Sequence, residues 1–391
     1  MFLPITNVPR DYAWGSTDAI ATLLGRTPSG RPEAELWLGA HPASPSIVVN
    51  PAVVDGAATL ADWIEAEPER ALGQGRRHLP FLMKVLAAAS PLSIQAHPTP
   101  EQARQGFARE NREGVPLVAS ERNYKDPFPK PEIIYALSET FDALCGFRPV
   151  DEALADVEAV DAGSGRLAAL REHLSESLES TVAWLFDDES ADETIAAVGE
   201  LAAAQVAAGG GVSPSVATVA QLAGLYPGDA GVVISLLLNR VTLKRGEALF
   251  LPAGNIHAYL GGLGIELMAP SDNVLRGGLT PKHVDVAELL TVLEFEPLPL
   301  PYLRPTEQGA GVERFDPTDV GFALLHVVPG ESGAVVPLGG PSIVLVTDGE
   351  LHLKGQDGNV RVSRGEAVYV TPDEWRLAVT GTGEAFVATS A

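Results

Sequence analysis

The sequence predicts a mainly β protein with an α-helical insertion, organised as two jelly-roll barrels plus a helical domain. Three observations predict it. Short apolar runs cut by Gly, Pro and Asn fill both ends of the chain, which is the pattern of short strands and turns. Residues 151–240 change character: they are rich in Ala, Leu, Glu and Asp, with apolar residues recurring at three and four, as in amphipathic helices. Finally, RGEALFLPAGNIHAYLGG (245–262) returns 119 residues later as RGEAVYVTPDEWRLAVTG (364–381), one turn–strand–turn–strand unit used twice. The expected division is a discontinuous first domain from 1–150 and 241–300, a helical insertion at 151–240, and a C-terminal domain at 301–391.

Composition bounds the function. A chain of 391 residues, 46% hydrophobic and 20% charged, has enough apolar content for two or three domain cores. The net charge of −24 argues against nucleic acid, whose phosphates need clustered Lys and Arg. It leaves room for a small anionic substrate in a pocket lined by a few basic groups. The N-terminus lacks a basic region followed by a long apolar run, so no signal peptide is expected. No apolar stretch approaches a membrane span. The single cysteine, Cys145, rules out an intrachain disulfide and fits a cytoplasmic protein; its expected role is a small buried hydrophobe.

In chain order, Tyr12, Trp14 and Gly15 form an early aromatic-glycine cluster, and AELWLGAHP follows with Trp37 and His41. SIQAHP (93–98) ends an apolar run. Side chains alternate along a strand, so Ser93, Gln95 and His97 share one face and Ile94 and Ala96 the other. Residues 101–128 read as a helix and then irregular chain. Pro127, Pro129 and Pro131 hold the chain extended up to Lys130 and Glu132, and EIIYAL reads as a strand with Glu132, Ile134 and Ala136 on one face. Ala248–Leu251 is a short buried strand stopped by Pro252; the turn at Gly254–Asn255 then puts His257 at a strand mouth. Asp272, Asn273 and Arg276 crowd into five residues, followed by Gly277–Gly278 and Lys282. Beyond residue 300 the pattern is hairpins, with DGE (348–350) and QDG (356–358) as turns. In the second copy of the repeat Glu374 falls near the place of His257, and no Gln-x-His pair occurs after residue 300.

Taken together, Gln95, His97, Glu132 and His257 offer two imidazoles, a carboxylate and an amide oxygen, a set suited to a first-row divalent metal. Spacing alone does not bring them together. SIQAHP, YKDPFPKPEI, LPAGNIHAYLGG and SDNVLRGGLTPK, in this order, resemble the type I mannose-6-phosphate isomerase family, metal enzymes of the cupin superfamily; YAWGS and AELWLGAHP match the family's early blocks. The resemblance covers roughly 1–150 and 240–300. It implies that Gln95, His97, Glu132 and His257 bind one Zn²⁺ per chain, that the barrels are cupin barrels, and that Arg276 is an active-site residue. It also puts Asp272, Lys130, Lys282, Lys84, Tyr259, Trp14, Ser93 and Glu266 in the pocket. One departure is Pro129, where many relatives carry histidine before Lys-Pro-Glu, so a proton-transfer role at that position is in doubt.

The implied reaction interconverts mannose 6-phosphate and fructose 6-phosphate through an enediol-like intermediate. Charge develops on O1 and O2, where a metal and Arg276 stabilise it. Asp272 is the first candidate for moving the proton, with a lysine such as Lys130 or a metal-organised water as competitor. Lys282, Arg276 and Lys84 are candidates for the 6-phosphate. Independently of the family, only six lysines stand against 21 arginines, and four of them, Lys84, Lys125, Lys130 and Lys282, lie in these blocks. Two rivals remain: a non-catalytic cupin that binds a sugar phosphate, against which Arg276 and Asp272 together count, and a cupin iron oxygenase, against which the glutamine and the lysines count.

Overall fold

The computed structural model describes residues 1–209 and 211–390. It contains a nine-stranded sheet, a ten-stranded sheet and a helical region inserted in sequence between two strands of the nine-stranded one, Thr140–Phe147 and Leu238–Lys244. Among the described residues no helix is long and apolar enough to cross a membrane.

The spine of the nine-stranded sheet is His257–Met268. Its second half lies between Leu82–Ala88 and Glu132–Ala136, and its first half between Gln95–Ala96 and Thr140–Phe147. One strand can serve four neighbours because it changes partners near its middle glycines. Gly262 has φ +127°, and a Cβ there would lie 2.9 Å from Phe141 Cα, so a larger residue would push the two strands apart. A register irregularity between Tyr259 and Gly261 shifts the alternation, so odd-numbered His257 and Tyr259 and even-numbered Glu266 all turn to one interior.

The helical region consists of Val150–Asp161, Ala168–Glu176, Leu178–Asp187, Ala191–Ala207, Pro214–Leu225 and Ala230–Leu237, as the three-and-four periodicity predicts. Ser177, Ser213 and Asp229 cap three of these helices by accepting backbone N–H groups. Its core of Leu170, Val182, Val198, Val219 and Leu236 continues into Ile94, Ala96, Ile256 and Leu275. The helices therefore brace the back of the strands whose front carries Gln95, His257 and Arg276.

Two features depart from a simple reading of the strand pattern. Residues 301–391 do not build the second sheet alone: Phe2–Thr6 pairs with Ala367–Val370 and with Ile47–Val48 inside it. Leu3 and Ile5 are buried between partly or fully exposed neighbours, so this first strand completes the core of the distant end of the chain. The second difference is DGE, which is not a hairpin turn. Ser342–Lys354 runs straight through it, taking up the irregularity as a bulge between Val346 and Asp348. QDG does connect the two strands on either side of it. The sheets meet through a shared core in which Val85, Ile133, Tyr135 and Ile265 pack with Phe315, Phe322, Leu345 and Phe386.

Candidate metal centre and its cavity

Three side chains converge inside the nine-stranded sheet: Glu132 and His257 open the strands Glu132–Ala136 and His257–Met268, and His97 directly follows Gln95–Ala96. His97, Glu132 and His257 place ligand atoms within 4.8 Å of one another, and all three are buried. His97 Nε2 lies 3.2 Å from Glu132 Oε1 and His257 Nε2 3.3 Å from Glu132 Oε2. The other ring nitrogens face backbone carbonyls: His97 Nδ1 is 2.8 Å from the Asn273 oxygen, and His257 Nδ1 is 3.0 Å from the Asn255 oxygen. A carbonyl can only accept, so each Nδ1 carries a proton and each Nε2 is turned inward toward Glu132. Burial, with the Lys130 ammonium beside it, pulls His97 down to about 4, so this ring is neutral. Burial works against the Glu132 charge, but Lys130 and the imidazoles hold its carboxyl well below the usual range.

Two imidazole nitrogens and a carboxylate aimed at one point suit a divalent cation, beside the Lys130 ammonium that already lies 2.8 Å from Glu132 Oε1 and 3.5 Å from His97 Nε2. His257 Nε2 is buried and makes no hydrogen bond. This is the donor set of a divalent metal centre, with orienting carbonyls behind both histidines. Gln95 adjoins it: the strand register puts Gln95 opposite His257 on one side and opposite Arg276 on the other. Among the described residues no other group of three His, Cys, Asp or Glu side chains comes this close.

Gln95 and Glu132 lie on the wall of a cavity of about 730 Å³. The structure brings Trp14, Lys84, Ser93, Lys130, Tyr259, Glu266, Arg276 and Lys282 to the same cavity. Lys84 lies directly across the strands from Glu266, with Nζ 2.8 Å from Glu266 Oε2 and 3.3 Å from Glu35 Oε1. Burial opposes the Lys84 charge, yet these two carboxylates raise its pKa. Burial, with Glu132 and Glu35 nearby, raises Glu266, against the pull of Lys84. Lys130 Nζ is 2.8 Å from Glu132 Oε1. Tyr259 donates its hydroxyl to Glu132 Oε2 at 3.3 Å. Arg276 and Lys282 make no ion pair among the described residues; burial lowers both, and Arg276 and Lys125 lower Lys282 further. The cavity thus has an acidic floor with balanced charges and a cationic rim without counter-charge.

Asp272 stands apart from the other expected pocket residues. It lines a second cavity with His41 and Phe128, and its carboxylate lies 3.4 Å from His41 Nε2. The Asp126 carboxylate, from a segment 146 residues away, accepts the Asp272 backbone N–H at 2.9 Å and ties that backbone down, with the side chain on the second cavity. Glu35 was missed by the motifs. It is buried, pairs with Lys84 and accepts the Trp37 indole N–H at 3.0 Å. The signal was a charged residue inside the apolar strand ELWL. Tyr226, which reaches the cavity from the helical region, carried no signal in its Ala-rich surroundings.

Comparisons with known proteins agree on one family. The profile for "Phosphomannose isomerase type I, catalytic domain" matches residues 2–150. The chain is 37% identical over 387 residues to the mannose-6-phosphate isomerase of Escherichia coli K12, covering 97% of each chain. It is 34% identical over 409 residues to the Rattus norvegicus mannose-6-phosphate isomerase, covering 95% of this chain and 93% of the relative. Among solved structures it resembles Salmonella typhimurium mannose 6-phosphate isomerase bound to its substrate fructose 6-phosphate and zinc, with TM-score 0.87, 34% identity, and coverage of 100% of this chain and 99% of that one.

Proposed function

The chain belongs to the type I phosphomannose isomerase family, and from that premise we propose that it interconverts mannose 6-phosphate and fructose 6-phosphate as a zinc enzyme. The observation that carries the reading is the convergence of the His97 and His257 ring nitrogens on Glu132 at a cavity whose unpaired cations are Arg276 and Lys282. His97, Glu132, His257 and Gln95 would hold one Zn²⁺. Bound there, the metal supplies Lewis-acid stabilisation of charge on the substrate oxygens.

The remaining work falls to the chain. Arg276, opposite Gln95 in the register, supplies a planar cation for the charge that develops at O1 and O2. Lys130 Nζ is the first candidate to carry the proton between C2 and C1, because it lines the cavity beside Glu132 whereas Asp272 faces the other one. Lys282, uncompensated at the rim, suits the 6-phosphate, with Arg276 as its neighbour. Lys84 does not suit it, since Glu35 and Glu266 already neutralise it. Glu35, Glu266 and Tyr259 then fix the floor on which the sugar hydroxyls rest, with Ser93 and Trp14 on the wall.

The finer architecture belongs to the same reading. Cupin-type jelly-roll barrels are supported by the repeated unit at 245–262 and 364–381 and by its antiparallel sheets. A cytoplasmic location is supported by the buried thiol of Cys145, the single cysteine. The non-catalytic alternative would leave Lys130 and Arg276 without a task, and an iron oxygenase would have no use for the cationic rim. The test is a coupled isomerase assay with fructose 6-phosphate on protein stripped of metal and then reloaded. Activity should vanish on stripping and return with zinc; turnover that survives stripping would refute the proposal.

A further inference from the structure

The two histidines are oriented by carbonyls of very different origin. For His257 the acceptor is two residues away in its own turn, so the turn itself fixes it. For His97 the acceptor is the Asn273 carbonyl, 176 residues distant, on an irregular segment. A remote carbonyl orients a ring only if something holds that carbonyl still.

The Asn273 side chain does this. It is fully buried. Its Oδ1 accepts the backbone N–H of Lys125 at 2.7 Å and of Asp126 at 3.2 Å. Its Nδ2 donates to the carbonyls of Asp126 at 2.8 Å and Phe128 at 2.9 Å. Asp126 closes the unit from the other side, accepting the Ser271 hydroxyl at 2.8 Å, the Asp272 N–H at 2.9 Å and the Phe128 N–H at 3.0 Å. Residues 125–128 and 271–273 are therefore one hydrogen-bonded block. Pro127, Pro129 and Pro131 leave little slack between that block and Lys130 and Glu132.

We propose that Asn273 is a positioning residue of the catalytic centre: its backbone carbonyl sets the tautomer and tilt of His97, and its side-chain amide locks that carbonyl to the segment that delivers Lys130 and Glu132. One amide thereby couples a metal ligand to the proton-carrying lysine. The inference rests on the zinc-isomerase reading above.

Asn273→Asp is the sharper variant. It keeps the size and Oδ1 but turns an oxygen toward the Asp126 and Phe128 carbonyls. Asn273→Ala removes all four contacts. Both should weaken zinc binding by about 10–100-fold in a chelator competition. At saturating zinc, kcat should fall by a similar factor while KM stays within about twofold, because Arg276 and Lys282 are untouched. Ser342→Ala is the control: it removes a buried hydroxyl bonded to Thr389 in the other sheet and should leave zinc affinity unchanged. Zinc affinity within about threefold of wild type in the folded Asp variant would overturn the proposal, as would an equal loss in Ser342→Ala. A wild-type protein that binds no zinc would instead sink the metal reading itself.

Discussion

The two copies of the turn–strand–turn–strand unit do different things with the same framework. In both, a strand of four residues, Ala248–Leu251 or Ala367–Val370, runs into a proline and a turn that opens a long strand. In the first copy the turn feeds His257 into a polar interior with Lys84, Glu132 and Glu266. In the second it supplies Glu374, Trp375 and Arg376. Glu374 is buried, but its carboxylate is taken up by the backbone N–H groups of Gln356 and Asp357, and Trp375 is 55% exposed. The interior of the second sheet holds instead an aliphatic cluster that includes Leu325, Val336, Val344, Leu351, Leu353 and Leu377. A strand framework requires only apolar alternation and turns. A metal centre requires a full donor set, and only the first copy contributes a donor to one, His257.

Substitutions can break that contrast, beginning with the largest effect. His257→Ala removes one of the four proposed donors and should abolish zinc retention and isomerase activity together; metal content by atomic absorption beside the coupled assay checks it. Full metal with near-normal turnover would show that the first copy's turn is not the ligand turn. Arg276→Lys keeps the charge and loses the planar fork. It should lower kcat by about 10²-fold or more with zinc still bound. A loss confined to KM would move Arg276 to the phosphate.

Leu325→Ala probes the other sheet. Leu325 is fully buried in an aliphatic core, so the cavity should cost about 2–5 kcal/mol in denaturant unfolding. Zinc affinity and kcat should be unchanged; loss of activity in the folded variant would make the C-terminal sheet part of the site. The smallest effect belongs to His326. Burial opposes its charge, but its ring nitrogens lie 2.9 Å from Glu384 and 3.0 Å from Glu313, and the net effect raises its pKa. Arg245 shares Glu384, and the Tyr135 ring packs alongside. A raised folded pKa means that the stabilisation is fully present below the unfolded value of about 6.5 and lost as pH rises through the folded value. His326→Ala should therefore destabilise the protein more at pH 6 than at pH 9, with no change in bound zinc. Equal losses at both pH values would leave His326 a packing residue.

Much of this was legible in the sequence because the chemistry is local there. SIQAHP alternates, and its two faces meet the cavity and the helices as alternation requires. The prolines before Glu132 and the Gly-Asn turn before His257 put both at strand mouths. What stayed hidden depends on contacts between distant segments. Phe2–Thr6 looks like any short strand, and nothing in it tells that its partner is Ala367–Val370. Asp272 looks like a pocket acid until the fold sets it beside His41. Glu35 becomes part of the floor only when Lys84 lies across from it. The apolar runs also hid a bulge: DGE has turn chemistry, yet the strand passes through it because the pairing on Arg376–Ser390 continues on both sides.

The most direct test is a zinc titration of metal-stripped protein with isomerase activity read at every point. Activity should rise linearly and stop at one equivalent, with the same end point in His326→Ala and in His352→Ala, the latter a histidine of the second sheet whose Nε2 lies 3.2 Å from Asn359 Oδ1. A second tight equivalent abolished by either change, or turnover before any zinc is added, would contradict a single metal centre in the nine-stranded sheet.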